Sequence, residues 1–177
     1  LADKYYPNKD RTMRFPNIPI EAIRALPVMH TQIIPKAYED ENGHMNVRHY
    51  MSVFDDAGYT YISTVGLSIE YHQQHGTGGF DLEHHLHYLN EVLIGDTVTV
   101  YLRFVGCSPK RTHYIMFMVN ETWGKLAATI ECVNSFADLT QRKTAPFPED
   151  IYQNIQAWVA QHTALAWDAP VCGVMSA

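Results

Sequence analysis

Residues 40–46, Asp-Glu-Asn-Gly-His-Met-Asn, run without a break into VRHYMSVFDDAGYTYI at 47–62, and this junction decides the fold. In the second part Val47, Tyr50, Met51, Phe54, Ala57, Gly58, Tyr61, Ile62 and Val65 recur at three- and four-residue steps. That spacing predicts one apolar face of an amphipathic helix. Asn46 stands where an N-cap belongs, and Gly66 where the left-handed residue after a helix belongs. Such a helix is roughly 30 Å long, enough to cross a small sheet. Its stripe is wide, which predicts that the sheet wraps it. The first part is harder to read. Asp40 and Asn46 alone suggest an Asx-turn leading into a cap. A turn explains the polarity, but not why a carboxylate, two amides, a glycine and an imidazole gather at a helix start.

Outward from the helix the chain turns to strands. Val28–Lys36 is strand-like before it, and Pro35 suggests a strand end. After it comes HQQHGTGG, which reads as a loop. Four strand-like runs follow: Phe80–Leu89, Thr97–Val105, His113–Val119 and Leu126–Phe136. Val98, Val100, Leu102 and Phe104 alternate with Thr97, Thr99, Tyr101 and Arg103, the period of a strand. Phe80, Leu82, Leu86 and Tyr88 alternate similarly. Turn residues at Gly95-Asp96, Gly106–Pro109 and Trp123-Gly124 separate the runs. Pro146-Phe147-Pro148 then opens a helix over about Glu149–His162. The order predicts an α+β fold, with an antiparallel sheet curved around one long helix.

Residues 1–27 hold Pro7, Pro16 and Pro19 ahead of Pro27, and read as an extended arm with one helical turn near Ile20–Leu26. Residues 28–162 form the expected domain, and 163–177 a weakly patterned tail. At 177 residues one domain is expected. The net charge of −6 argues against nucleic-acid binding, which needs a basic face. The three cysteines, Cys107, Cys132 and Cys172, form no CxxC pair and suit a reducing compartment. With no run of spanning length and no hydrophobic leader core at the start, the expectation is a cytoplasmic protein with no membrane role. His84, His85 and His87 invite a metal reading, but no HExxH or CxxC partner set accompanies them, so no metal is expected.

The junction also carries a resemblance. Asp40, Gly43, His44, Asn46 and Tyr50 match the D-x-x-G-H-x-N segment that leads into the central helix of hotdog-fold thioesterases of the 4-hydroxybenzoyl-CoA thioesterase type. YLNEVLIGD (88–96), KRTHYIMFMV (110–119) and LAATIECVNSFAD (126–138) resemble that family's later strands, over about residues 28–150. Asp40, Asn42, His44 and Asn46 are also in register with the D-x-N-x-H-x-N of acyl-carrier-protein thioesterases. Glu91 departs from the family's usual proline, and Gly58 stands where many members carry arginine.

The resemblance implies an acyl-CoA thioester hydrolase, with acyl-carrier-protein thioesters or silent acyl-thioester binding as alternatives. It implies no cofactor, and a homodimer paired through Phe80–Tyr88, with a dimer of dimers as the larger option. A carboxylate can activate water or attack the thioester itself, so Asp40 is the candidate base or nucleophile. The following helix N-terminus offers N–H groups and positive dipole to an oxyanion. His44 would orient the carboxylate or water, and Asn42 would donate to the carbonyl. Gly43 permits close approach, and Asn46 fixes the helix start. Glu83 reads either as a carboxylate facing a helix start, its own or the partner copy's, or as part of a plain solvated strand face, and Lys110-Arg111 either as a solvated turn or as a contact to the nucleotide phosphates.

Overall fold

The computed structural model describes residues 15–177, so residues 1–14 of the expected arm lie outside the described residues. The elements run α1 (Ile20–Arg24), β1 (Val28–Ile33), a 3-10 turn (Lys36–Tyr38), α2 (Val47–Thr64), α3 (Ile69–His75), β2 (Thr77–Tyr88), β3 (Thr97–Ser108), β4 (Arg111–Asn120), β5 (Lys125–Asp138), β6 (Lys143–Thr144) and α4 (Glu149–Thr163). All strand pairs are antiparallel, in the order β1-β3-β4-β5-β2, with the short β6 also on β5. The sheet curls around α2, which is the hotdog arrangement the resemblance implied.

Helix α2 begins at Asn46, whose side chain accepts from the Arg48 N–H, and ends before Gly66 at φ +96°. Its buried face is Tyr50, Val53, Phe54, Ala57 and Tyr61. That face is rotated from the expected stripe. Val47 is largely solvent-exposed in the first turn, while Val53 is fully enclosed against the sheet. Val98, Val100, Leu102, Phe104, Met116, Met118, Ile130 and Cys132 meet it from β3, β4 and β5. The Tyr61 hydroxyl, inside this core, finds a partner in Thr112 at 2.6 Å.

The opposite face of the sheet is buried too. Tyr101, Ile115, Phe117 and Val119 pack under Ile18, Ile23 and Leu26 of the α1 region and under Leu165 and Trp167. Residues after 163 are therefore laid against the sheet, and the Cys172 N–H donates to the buried Glu131 carboxylate at 2.7 Å. This explains why Tyr101 and Arg103, on the polar side of the alternation, are buried.

The segment expected as the loop HQQHGTGG (72–79) instead holds the end of helix α3, its Gly76 cap and the first residues of β2. Ser68 caps α3 by accepting from the Tyr71 N–H, and Gly76 closes it at φ +62°. Seven residues with no apolar period carry no helical signature, although both caps were present in the sequence.

The two long edges of the sheet are treated differently. β1 covers β3 only to Tyr101, and past it the Phe104 N–H donates to His162 Nδ1 of α4 at 2.8 Å. Burial, and then Arg103 nearby, holds the His162 pKa below its usual value and keeps the ring neutral as an acceptor. That stretch of β3 is covered, while β1 itself pairs with β3 alone among the described residues. At the other end β2 pairs with β5 alone among the described residues, and Phe80 is 65% and Leu82 39% exposed. An open apolar edge is what sheets normally cover or pair.

Candidate active site

The Asp40–Asn46 loop is tied down on both sides. Glu39 bridges Met45, His44 bridges Leu93, the Met45 N–H donates to Val92 O at 2.8 Å, and the Asn46 N–H donates to Tyr38 O at 2.8 Å. The Leu93 side is itself anchored. Buried Asp96 accepts from the Leu93 N–H (2.9 Å), Asn120 Nδ2 (2.7 Å) and Trp123 Nε1 (3.1 Å). Gly43, at φ +87°, makes the reversal that lets His44 fold back over Asp40.

Asp40 is thereby fixed. Its Oδ1 accepts from the backbone N–H groups of Asn42 (2.8 Å) and His44 (3.3 Å), and His44 Nδ1 stands 3.2 Å from Oδ2. Partial desolvation opposes the charge, but the Asn42 and His44 N–H groups and the imidazole outweigh it. The carboxyl is held below its ordinary range. Asp40 therefore stays ionised at neutral pH.

Asp40 and His44 open into a cleft of about 350 Å³ with Met45, Val47, Tyr50, Tyr88, Leu89, Asn90 and Glu91. The Tyr50 and Tyr88 rings meet edge to face, centroids 5.2 Å apart. Val47 places the N-terminus of α2 in the cleft wall, where the first N–H groups lack intrahelical acceptors. A negative charge developing there would meet the positive end of an eighteen-residue helix.

Other expected site residues fall elsewhere. Asn42 is exposed and acts on Asp40 through its backbone, while its side chain is not in the cleft wall. Glu83 points away. It pairs with Val133 and shares a face of β2 with His85 and His87, which meet Glu131 and Phe15 on the side of the sheet opposite α2. Within one chain Glu83 lies on an exposed strand face and not at the α2 start. Leu86 packs into the α2-side core, and strand alternation then turns Glu83, three residues away, to the other side. Lys110 in the β3–β4 turn and Arg111 at the first position of β4 sit at the far end of β3 from the Leu93–Asp96 anchor. Twelve residues of strand separate the two ends, about 40 Å. They do not reach Asp40 of their own chain. Tyr88 and Glu91 joined the site unforeseen; the only sequence signal for Glu91 was its replacing a proline.

A profile of the thioesterase-like superfamily matches residues 35–155, and the chain belongs to that family. Among its relatives, the betainyl-CoA thioesterase of Pseudomonas aeruginosa is 28% identical over 142 residues, 80% of this chain and 89% of that protein. The L-carnitine dehydrogenase/betainyl-CoA thioesterase of Rhizobium meliloti is 24% identical over 155 residues, 88% of this chain and 30% of that longer protein. A Staphylococcus aureus protein solved in complex with CoA superposes with TM-score 0.75 and 26% identity, covering 86% of this chain and 96% of its own. A Pseudomonas putida protein of known structure shares the fold at TM-score 0.70 and 23% identity, over 86% and 96% of the two chains.

An acid limb is expected in the pH profile. With its pKa depressed, Asp40 loses its charge only as pH falls below the ordinary aspartate value of about 3.9. A profile of log kcat/KM should therefore stay level from neutrality down to about pH 4. A limb near pH 6.5 would assign the titrating group to an imidazole instead.

Proposed function

We propose that the protein hydrolyses a short acyl-CoA thioester, with Asp40 as base or nucleophile and the α2 N-terminus as oxyanion donor. The observation that carries this is the ionised Asp40 carboxylate, fixed by two backbone N–H groups in the same cleft wall as a long helix's N-terminus. A silent binder would not need the carboxylate held in this way. Acyl-carrier-protein thioesters remain the second reading for the carrier group, on the strength of the Asp40, Asn42, His44, Asn46 register.

The relatives' names point to a betaine-like acyl group, and the cleft supports it. In a betainyl thioester one methylene separates the quaternary ammonium from the carbonyl. If the carbonyl lies against Asp40, the cation must lie in the same cleft. Tyr50, Tyr88 and Glu91 line it there, and ring faces with a carboxylate suit a cation that cannot donate hydrogen bonds. Betainyl-CoA and tert-butylacetyl-CoA have the same shape and differ by one charge. The expected result is a kcat/KM preference of about tenfold or more for the cation, reduced by Glu91→Gln. Equal rates for the two esters would remove the cation reading and leave the hydrolase reading intact.

The open β2 edge supports a two-fold dimer in which β2 pairs antiparallel with its copy. Such pairing sets the Phe80 end of one copy beside the Tyr88 end of the other. The Phe80 end carries a close-set group of cations. Arg111 and Phe80 both pair with Ser135, and Arg142 and Lys143 line the groove beside Phe80. Lys110 and Arg111, remote from Asp40 in their own chain, would then serve the phosphates of a CoA bound at the other copy's cleft. Arg111→Glu should raise KM for acyl-CoA several-fold with kcat little changed. An N-acetylcysteamine thioester has no phosphates and should be unaffected. Equal effects on both would detach these residues from the nucleotide.

A further inference from the structure

We propose that Asp81, His84 and Cys132 form a binding site for one zinc-class divalent cation, on the α2-facing side of the sheet and separate from the Asp40 cleft. The proposal does not depend on the hydrolytic reading. No residue lines both places.

The site is made by a strand irregularity. His84 and Cys132 are directly paired across β2 and β5, so their side chains rise from the sheet side by side. Asp81, three residues before His84, would lie on the opposite face of a regular strand. The register shift between Asp81 and Glu83 inserts an extra residue and turns Asp81 to the side of His84. Bulges of this kind commonly re-aim a side chain next to a functional site.

The donor atoms are already gathered. His84 Nε2 lies 3.2 Å from Asp81 Oδ2, and Cys132 Sγ lies 3.4 Å from Asp81 Oδ1. One ligand atom from each of the three falls within 4.8 Å of the others. Tetrahedral zinc, with bonds of about 2.0–2.3 Å, sets its donors about 3.3–3.6 Å apart. The two contacts are made by the two oxygens of Asp81, so a metal would draw the three donors together from within 4.8 Å.

The remaining requirements are met around them. Asn134 Nδ2 donates to Asp81 Oδ1 at 2.6 Å and orients the carboxylate, as outer partners of metal ligands do. The three residues line a small groove of about 60 Å³ under α2, with Asp55, Gly58 and Tyr114. That volume accommodates an ion and one water, whose share of liquid volume is about 30 Å³. Gly58 has nothing within 4 Å of where a Cβ would stand, so the groove is open on the helix side. Three protein ligands and one open position is the pattern of an exchangeable site, rather than a closed structural one.

A second grouping, His85, Glu131 and Cys172, lies on the other face of the sheet. There His113 Nε2 donates to Glu131 Oε1 at 2.8 Å and the Cys172 N–H to Oε2 at 2.7 Å, so both oxygens already have partners. It is the weaker ligand set.

Binding exchanges the Cys132 thiol proton for the metal, giving a metal–sulfur bond and one proton released per ion. The test uses the full chain, stripped with a chelator and titrated with Co²⁺, then with Zn²⁺ against a chromophoric chelator. One equivalent of Co²⁺ should produce a thiolate-to-cobalt charge-transfer band in the near ultraviolet. Cys132→Ser should abolish the band, and Asp81→Asn should weaken binding by at least tenfold. Asn134→Ala should cost about tenfold through the outer shell, and Cys172→Ser should change nothing. Circular dichroism checks each variant's fold, and Asp81→Asn carries the test if Cys132→Ser does not fold. Failure to bind one equivalent at micromolar protein would overturn the proposal. So would a charge-transfer band that survives Cys132→Ser or disappears in Cys172→Ser.

Discussion

Asp40→Asn should lower kcat for acyl-CoA hydrolysis by about 10²–10⁴-fold, read as free thiol released into a disulfide dye. The substitution isolates the chemistry. An asparagine oxygen can still accept from the Asn42 and His44 N–H groups that now hold Oδ1, so the loop keeps its shape. What is lost is the charge, and with it both basicity and nucleophilicity. Because the interaction removed belongs to the transition state, KM should change little while kcat falls. A variant retaining more than about a tenth of the wild-type rate would take Asp40 out of the reaction, since general-base losses start near 10²-fold.

The second large effect concerns the β2 edge. If the proposed dimer forms through β2, replacing Phe80 and Leu82 together with lysine should give a folded monomer of much reduced activity. Both side chains are exposed in the single chain, so the fold does not depend on them. Burial of their remaining exposed surface in a paired edge would contribute less than the about 1.5–3 kcal/mol of a full burial each, and a lysine left there unpaired would add a desolvation cost. Activity should drop with dissociation, because a cleft completed by a partner loses its geometry, and small misplacements cost on the order of 10²-fold. Sedimentation of the wild-type protein as an active monomer at micromolar concentration would end the shared-site reading. A fully dimeric, active double variant would do the same.

Much of this architecture was legible in the sequence, and for local reasons. The 47–65 periodicity, the Asn46 cap and the Gly66 terminator placed α2 correctly, because helix hydrogen bonds and caps are made within a few residues. The strands came through alternation, and the Asp40–Asn46 loop stood out as the candidate chemical centre by residue types that a plain turn does not need. Helix α3 was missed because seven residues without an apolar face leave only their caps as a signal. Tertiary packing rotated the buried face of α2, enclosing Val53 and leaving Val47 in solvent. It also covered the outer face of the sheet with α1 and Trp167.

The sequence by itself determined the long helix, the strands beside it and the carboxylate at its start. Which face each strand residue shows, and which end of the sheet each loop occupies, was decided only in three dimensions. Asp81, His84 and Cys132 converge on one face from positions with no regular spacing. The physical reason is that a strand's side chains alternate with a period of two. One bulge in a pairing between residues fifty positions apart reverses the faces on either side of it, and no local pattern records where that bulge falls.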